Sequence, residues 1–134
     1  MKVLFIIIIH FFALVSNCQS NEFDCLILQK AVNNNFFNKY FLIDKFPKET
    51  LTIIDTCNFF QNCIIKEVHN RKIEIRHYSN FNKSKHEIYI DYMKKVKRKT
   101  TIAFFHPMSN VYLVLEIRKK IGGLRVKVKS GGVF

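Results

Sequence analysis

Tryptophan is absent from these 134 residues, and glycine (four) and proline (two) are scarce. That scarcity excludes collagen-like and Pro/Gly-rich low-complexity architectures, and leaves no composition in which to place a flexible linker. No internal repeat interrupts the chain either, so a single domain is the economical organisation. Signatures of chemistry are missing too. There is no GxSxG elbow, phosphate-binding GxxxxGK[ST] loop, GxGxxG turn, HExxH or HxH pair, or CxxC spacing. Without them nothing marks a strained nucleophile, a nucleotide cradle or a zinc site, and no cofactor is expected. Acidic residues are also in short supply, ten against twenty-two Lys and Arg, for a formal net charge of +12.

Only one apolar run is long. Met1-Lys2 supplies a short cationic start, and Val3 to Val15 reads VLFIIIIHFFALV, broken only by His10. A cation, a brief apolar core and small residues after it make the signal-peptide pattern. At ~1.5 Å per residue a helix of that run reaches about 20 Å, short of the ~30 Å of a bilayer core. Residues 1–17 are therefore expected to be an export signal and residues 18–134 one exported domain. Val15-Ser16-Asn17-Cys18 resembles a bacterial lipobox, with Asn17 in place of the usual Gly or Ala. The resemblance implies lipid attachment at Cys18 and a membrane-anchored envelope protein; ordinary cleavage near Ser16–Ser20 would instead release a secreted or periplasmic one. Together with the AT-rich codon bias toward Ile, Asn, Lys and Phe, and the glycine-turn strand pair near the C-terminus, the pattern resembles small exported lipoproteins of Bacteroidetes type. That family brings no activity with it.

Four cysteines, Cys18, Cys25, Cys57 and Cys63, would meet an oxidising compartment after export. Cys57 and Cys63 flank NFFQN, and a local staple between them is the first expectation. Cys25 paired with either one is the alternative, and would tie the N-terminal helix to the next element. If Cys18 carries lipid, one pair leaves an odd thiol.

Asp24 can cap a helix in which Cys25, Leu28 and Val32 share a face, and Asn33-Asn34-Asn35 weakens that helix. Beyond Pro47 the period changes to two. Strands are expected over Leu51–Asp55, Cys63–His69, Lys72–Arg76, Glu87–Asp91, Thr100–Phe105, Val111–Ile117 and Leu124–Lys129, with turns at Asn70-Arg71 and Gly122-Gly123 and a polar loop over 79–85. The expected class is α+β: an N-terminal helical segment packed on a curved antiparallel sheet of five or six strands. In element order this resembles the cystatin-like and NTF2-like arrangements, a resemblance that implies a binding scaffold and no particular chemistry.

Charge is unevenly distributed. Residues 18–65 carry a net charge of −1, whereas residues 66–134 carry +12. Lys94, Lys95, Lys97, Arg98 and Lys99 form one cluster. Arg118, Lys119 and Lys120 flank the Gly turn, and Arg125, Lys127 and Lys129 alternate out of the last strand. Pairing of the last two strands would bring Arg118 near Arg125. Such a face suits an anionic lipid or envelope surface, or an acidic protein. Nucleic-acid readout is disfavoured because no RNP-like aromatic string accompanies the charge.

The remaining polar candidates read as structural. His77 falls on the face of Ile73 and Ile75, and His106-Pro107 reads as a strand terminus and turn. Glu87 and Asp91 share a strand face with Tyr89, on the expected solvent side. Asp55 falls on the apolar face of Leu51 and Ile53, and needs either a buried partner or a role as strand-end cap. The function expected is therefore a non-enzymatic, exported binding or structural module. A freely secreted, disulfide-stabilised effector or toxin-like protein is the alternative, and a hydrolase with an unidentified site a third reading.

Overall fold

The computed structural model describes residues 22–47, 50–77 and 86–134. The expected signal, Cys18 and the polar loop 79–85 lie outside the described residues. Among those described, no helix is long and apolar enough to cross a membrane.

Among the described residues, two helices precede the sheet. Helix α1 (Glu22–Val32) begins with Glu22 and Asp24, whose charges suit a helix N-terminus, and buries Ile27, Leu28, Ala31 and Val32. The Asn run expected to weaken this helix breaks it. Helix α2 (Asn35–Phe41) starts afresh, with the Asn34 side chain accepting a hydrogen bond from the Phe36 N–H at 3.0 Å. A 3-10 turn (Ile43–Lys45) follows.

The strands are β1 (Thr50–Ile54), β2 (Lys72–Arg76), β3 (Glu87–Val96), β4 (Lys99–His106), β5 (Val111–Lys120) and β6 (Gly123–Val133). They form one open six-stranded sheet in the order β2-β1-β3-β4-β5-β6. From β3 to β6 it is the expected antiparallel meander. The other side corrects the all-antiparallel expectation: β1 lies parallel to both β2 and β3, so the sheet is mixed. Long connections leave β1 and β2, and each returns the chain to the same end of the sheet before the next strand starts.

The strand expected over Cys63–His69 does not form. Positive φ at Asn58 and Asn62 just before the segment, and at His69 and Asn70 where it ends, bounds it with turns that a strand cannot run through. The backbone there also has other partners. Lys66 N–H donates to Gln29 Oε1 at 2.6 Å, and Gln29 Nε2 donates back to Lys66 O at 3.4 Å. Only an isolated bridge, Val68 to Arg71, remains as a tight turn.

Cys63 is bonded to Cys25, with Cα atoms 5.2 Å apart, and Cys57 is free and exposed. The long-range pairing thus replaces the expected local staple. Asn58 and Asn62 turn the backbone between Cys57 and Cys63, and Cys63 faces α1. Asp55 is fully buried and acts as the strand-end cap. Its carboxylate accepts from the backbone N–H groups of Phe59 (3.1 Å) and Phe60 (2.8 Å), which holds the Phe60 ring in the core.

Both helices lie on one face of the sheet. The core there includes Ile27, Leu28, Phe37, Phe41, Ile102, Phe104, Leu113 and Leu115. Phe37 makes edge-on contacts with Phe41 (centroids 5.0 Å) and Phe104 (5.1 Å). Gly131 in β6 is required by this layer, because a Cβ at that position would lie 2.5 Å from the Tyr40 ring. Among the described residues, no helix lies on the opposite face of the sheet.

Candidate functional site

In an antiparallel meander the β3–β4 and β5–β6 turns fall at the same end. Here Lys119 N–H donates to Arg98 O at 3.0 Å, which locks the two hairpin tips side by side. The two basic clusters of the sequence, 94–99 and 118–129, therefore become one surface. Gly122 and Gly123 adopt φ of 91° and 132°, which permits the two-residue turn and leaves Ile121 fully exposed at its tip.

Register decides which cations meet. Lys99 is the cross-strand partner of Arg118, and Arg118 is the partner of Arg125. Three cations thus line up across three adjacent strands on the helix-free face, where direct like-charge neighbours repel. Arg118, Lys120, Arg125 and Lys127 line a shallow groove of about 210 Å3 beside that row. Glu116 precedes Arg118 on the same strand face. It accepts a short hydrogen bond from Arg118, and that bond, reinforced by the charges of Arg118, Lys99 and Lys129, holds its carboxyl below the usual carboxylate range.

Not every expected cation belongs to this face. Lys119 stacks over the Phe23 ring at 5.3 Å, and Lys95 pairs with the buried Asp24 at 2.5 Å, so both are committed to the start of α1. Lys129 is the extra residue of a β-bulge between Val128 and Ser130, which interrupts the simple alternation expected after Arg125 and Lys127. Lys97, Arg98, Lys99, Lys120, Arg125 and Lys127 have no ion-pair partner among the described residues.

Farther along the same face the basic groove gives way to aromatic groups. Tyr92, Phe105, Tyr112 and Phe134 line a depression of about 370 Å3, with the Tyr112 and Phe134 rings 4.7 Å apart. The acid pair expected on the solvent side does not exist as such. Glu87 is buried and accepts from the Tyr89 hydroxyl at 3.3 Å, while Asp91 sits exposed in a second bulge. His77 stands at the sheet edge, its Nδ1 3.7 Å from Asp55 Oδ2.

A feature that the sequence reading passed over lies on the helix side. His106 ends β4 on the core face and is 3% exposed. Its ring stacks on His86 (5.8 Å, 21° between planes) and against Phe46 (5.2 Å). Its Nδ1 is 2.6 Å from Ser109 Oγ, and its Nε2 is buried with no hydrogen-bond partner among the described residues, as is His86 Nδ1. Burial, with a smaller contribution from the neighbouring His86, lowers the His106 pKa from 6.5 to about 4. These groups wall a cavity of about 240 Å3 between α2, the 3-10 turn and the β4–β5 turn. The signal was present in the strict alternation Ile102, Phe104, His106, which places the imidazole in the core.

No protein-family description, no curated protein and no solved structure matches the chain.

Proposed function

We propose that this chain is an exported, non-enzymatic binding module that docks its basic sheet end on an anionic lipid surface at the cell envelope. The observation that carries this reading is the unbroken Lys99–Arg118–Arg125 row, flanked by the exposed Lys97, Arg98, Lys120 and Lys127. Repulsion within the row is relieved when phosphate oxygens sit over it, and each cation near an anionic bilayer contributes about 1 kcal/mol. The bare Ile121 tip and the aromatic groups of the same face suit the headgroup boundary, where amphipathic rings and basic side chains gather. The disulfide is compatible with life outside the cytosol. In this reading residues 1–17 are removed and Cys18 carries the lipid that keeps the module near its surface. The helix-on-sheet layering is then a cystatin-like or NTF2-like scaffold, modified by its parallel β2-β1-β3 side.

Vesicles of phosphatidylglycerol mixed with phosphatidylcholine test it. Binding is expected to weaken steeply between about 0.05 and 0.5 M salt as the screening length contracts. Arg118→Glu with Arg125→Glu should abolish it while the far-ultraviolet circular dichroism stays native. Equal binding to pure phosphatidylcholine, or indifference to salt, overturns the proposal. The intact mass of the processed protein separates a lipid-bearing Cys18 from a freely secreted chain.

A further inference from the structure

We propose that the cavity beneath His86 and His106 is a binding site for a small aromatic monocarboxylate. The proposal is independent of the basic sheet end, which occupies the other end of the meander.

Size comes first. An apolar cavity of about 150 Å3 takes up benzene, so about 240 Å3 accommodates one aromatic ring with a short substituent, or about ten non-hydrogen atoms. The walls match such a ring, since Phe41, Phe46 and the two imidazoles present faces and edges to the space. Polarity selects the substituent. His106 is almost wholly buried, yet its Nε2 has no partner among the described residues, an arrangement that costs stability unless something polar arrives. The Ser109 contact leaves Nε2 as the uncommitted ring nitrogen, and in the tautomer in which the Ser109 hydroxyl donates to Nδ1 a neutral His106 carries its proton on Nε2 and offers a donor to an acceptor oxygen. Lys45 supplies a cation at the rim, and among the described residues no carboxylate lines the cavity. An anion is therefore matched and a cation is not.

A metal ion fits the same groups poorly. Imidazole lone pairs lie in the ring planes, and these planes are 21° from parallel with centroids 5.8 Å apart, so the lone pairs run alongside each other instead of converging. No group of three His, Cys, Asp or Glu suited to a metal occurs among the described residues.

Phenylacetate is the probe, with ethylbenzene as its neutral counterpart, in a nuclear magnetic resonance titration of the full exported domain. The expected result is saturable shifts of the His86 and His106 ring signals and the Met108 methyl, at least about tenfold tighter for phenylacetate than for ethylbenzene. Met108 is half exposed at the mouth, so Met108→Trp should block binding without disturbing the core. Lys45→Gln should weaken phenylacetate severalfold and leave ethylbenzene alone. Arg118→Glu should change neither affinity, which keeps this test separate from that of the basic end. Absence of saturable shifts at these side chains, equal affinity for the two probes, or undiminished binding in Met108→Trp overturns the proposal.

Discussion

Between Glu22 and His77 the chain is held by a few separate fastenings and one short parallel ladder, whereas from His86 to Phe134 it is held by a continuous antiparallel ladder. The first region depends on the Asp55 cap, which is local, and on the Cys25–Cys63 bond and the Gln29–Lys66 pair, which join α1 to a segment that local pattern alone would leave apart. The second region pairs β3, β4, β5 and β6 residue by residue, with two bulges. Loss of one bond in a ladder is shared among its neighbours; loss of one fastening is not. The first region is therefore where point changes should do most damage. The second can tolerate a crowd of like charges because its backbone pairing supports them.

Asp55→Ala is expected to be the most harmful single change. It removes two hydrogen bonds to a carboxylate at about 1.5–3 kcal/mol each and strands the buried Phe60 N–H, for roughly 5 kcal/mol in all. Urea unfolding would measure it, and a loss below about 1 kcal/mol would show that the cap is dispensable. Next comes the disulfide. Closing a loop with a sequence separation of 38 is worth about 4 kcal/mol in the chain-entropy account, so Cys25→Ala with Cys63→Ala should lower stability by up to that amount. Native-state hydrogen exchange sharpens the contrast. Protection should drop first in α1 and residues 56–70 while β4 and β5 amides keep theirs. Uniform loss across the chain would erase the distinction between the regions.

The same contrast explains what could be read in the sequence. Every strand of the meander was legible because alternation and a Gly-Gly turn are local signals, and antiparallel neighbours joined by short turns need nothing more. The joining of Lys94–Lys99 with Arg118–Lys127 was legible in principle too, since alternate turns of a meander share an end. The parallel placement of β1 was not, because Thr50–Ile54 fits either direction and its partners, Lys72–Arg76 and Glu87–Tyr89, are distant in sequence. Nor was the fate of residues 63–69, a segment bounded by positive-φ turns at Asn62 and at His69-Asn70, whose backbone pairs instead with a side chain reaching over from Gln29. The place of His106 at the end of β4, before the Pro107 turn, was legible; the closeness of His86 and Phe46 to its ring was not, because they come from distant parts of the chain.

His106 gives the next largest effect, and one of known sign. Its pKa is about 4 when folded against 6.5 in the unfolded chain, so between those values the unfolded state binds more protons. Stability should therefore fall as pH drops from about 6.5 to about 4, by on the order of 3 kcal/mol, and level off below that. Thermal melts across this range, compared with His106→Phe, isolate the imidazole. If the wild type and the variant keep the same slope, another group carries the acid sensitivity.

The smallest expected effect bears most directly on the basic row. Arg125 faces Arg118 across β5 and β6 with only Glu116 nearby to offset the charge. Replacing it with threonine, which suits an exposed strand, should raise stability by about 0.5 kcal/mol at low salt, because a direct like-charge neighbour is removed. The gain should vanish near 1 M salt, where charges are screened within about 3 Å. The same substitution should weaken binding to anionic vesicles. A gain in stability coupled to a loss of binding is what a surface kept for its partner would show, since the repulsion it tolerates alone is the attraction it offers when docked. Were Arg125→Thr to destabilise the domain at low salt, the row would be part of the scaffold, held by packing of the arginine stems along the sheet, and the argument from like charges would lose its footing.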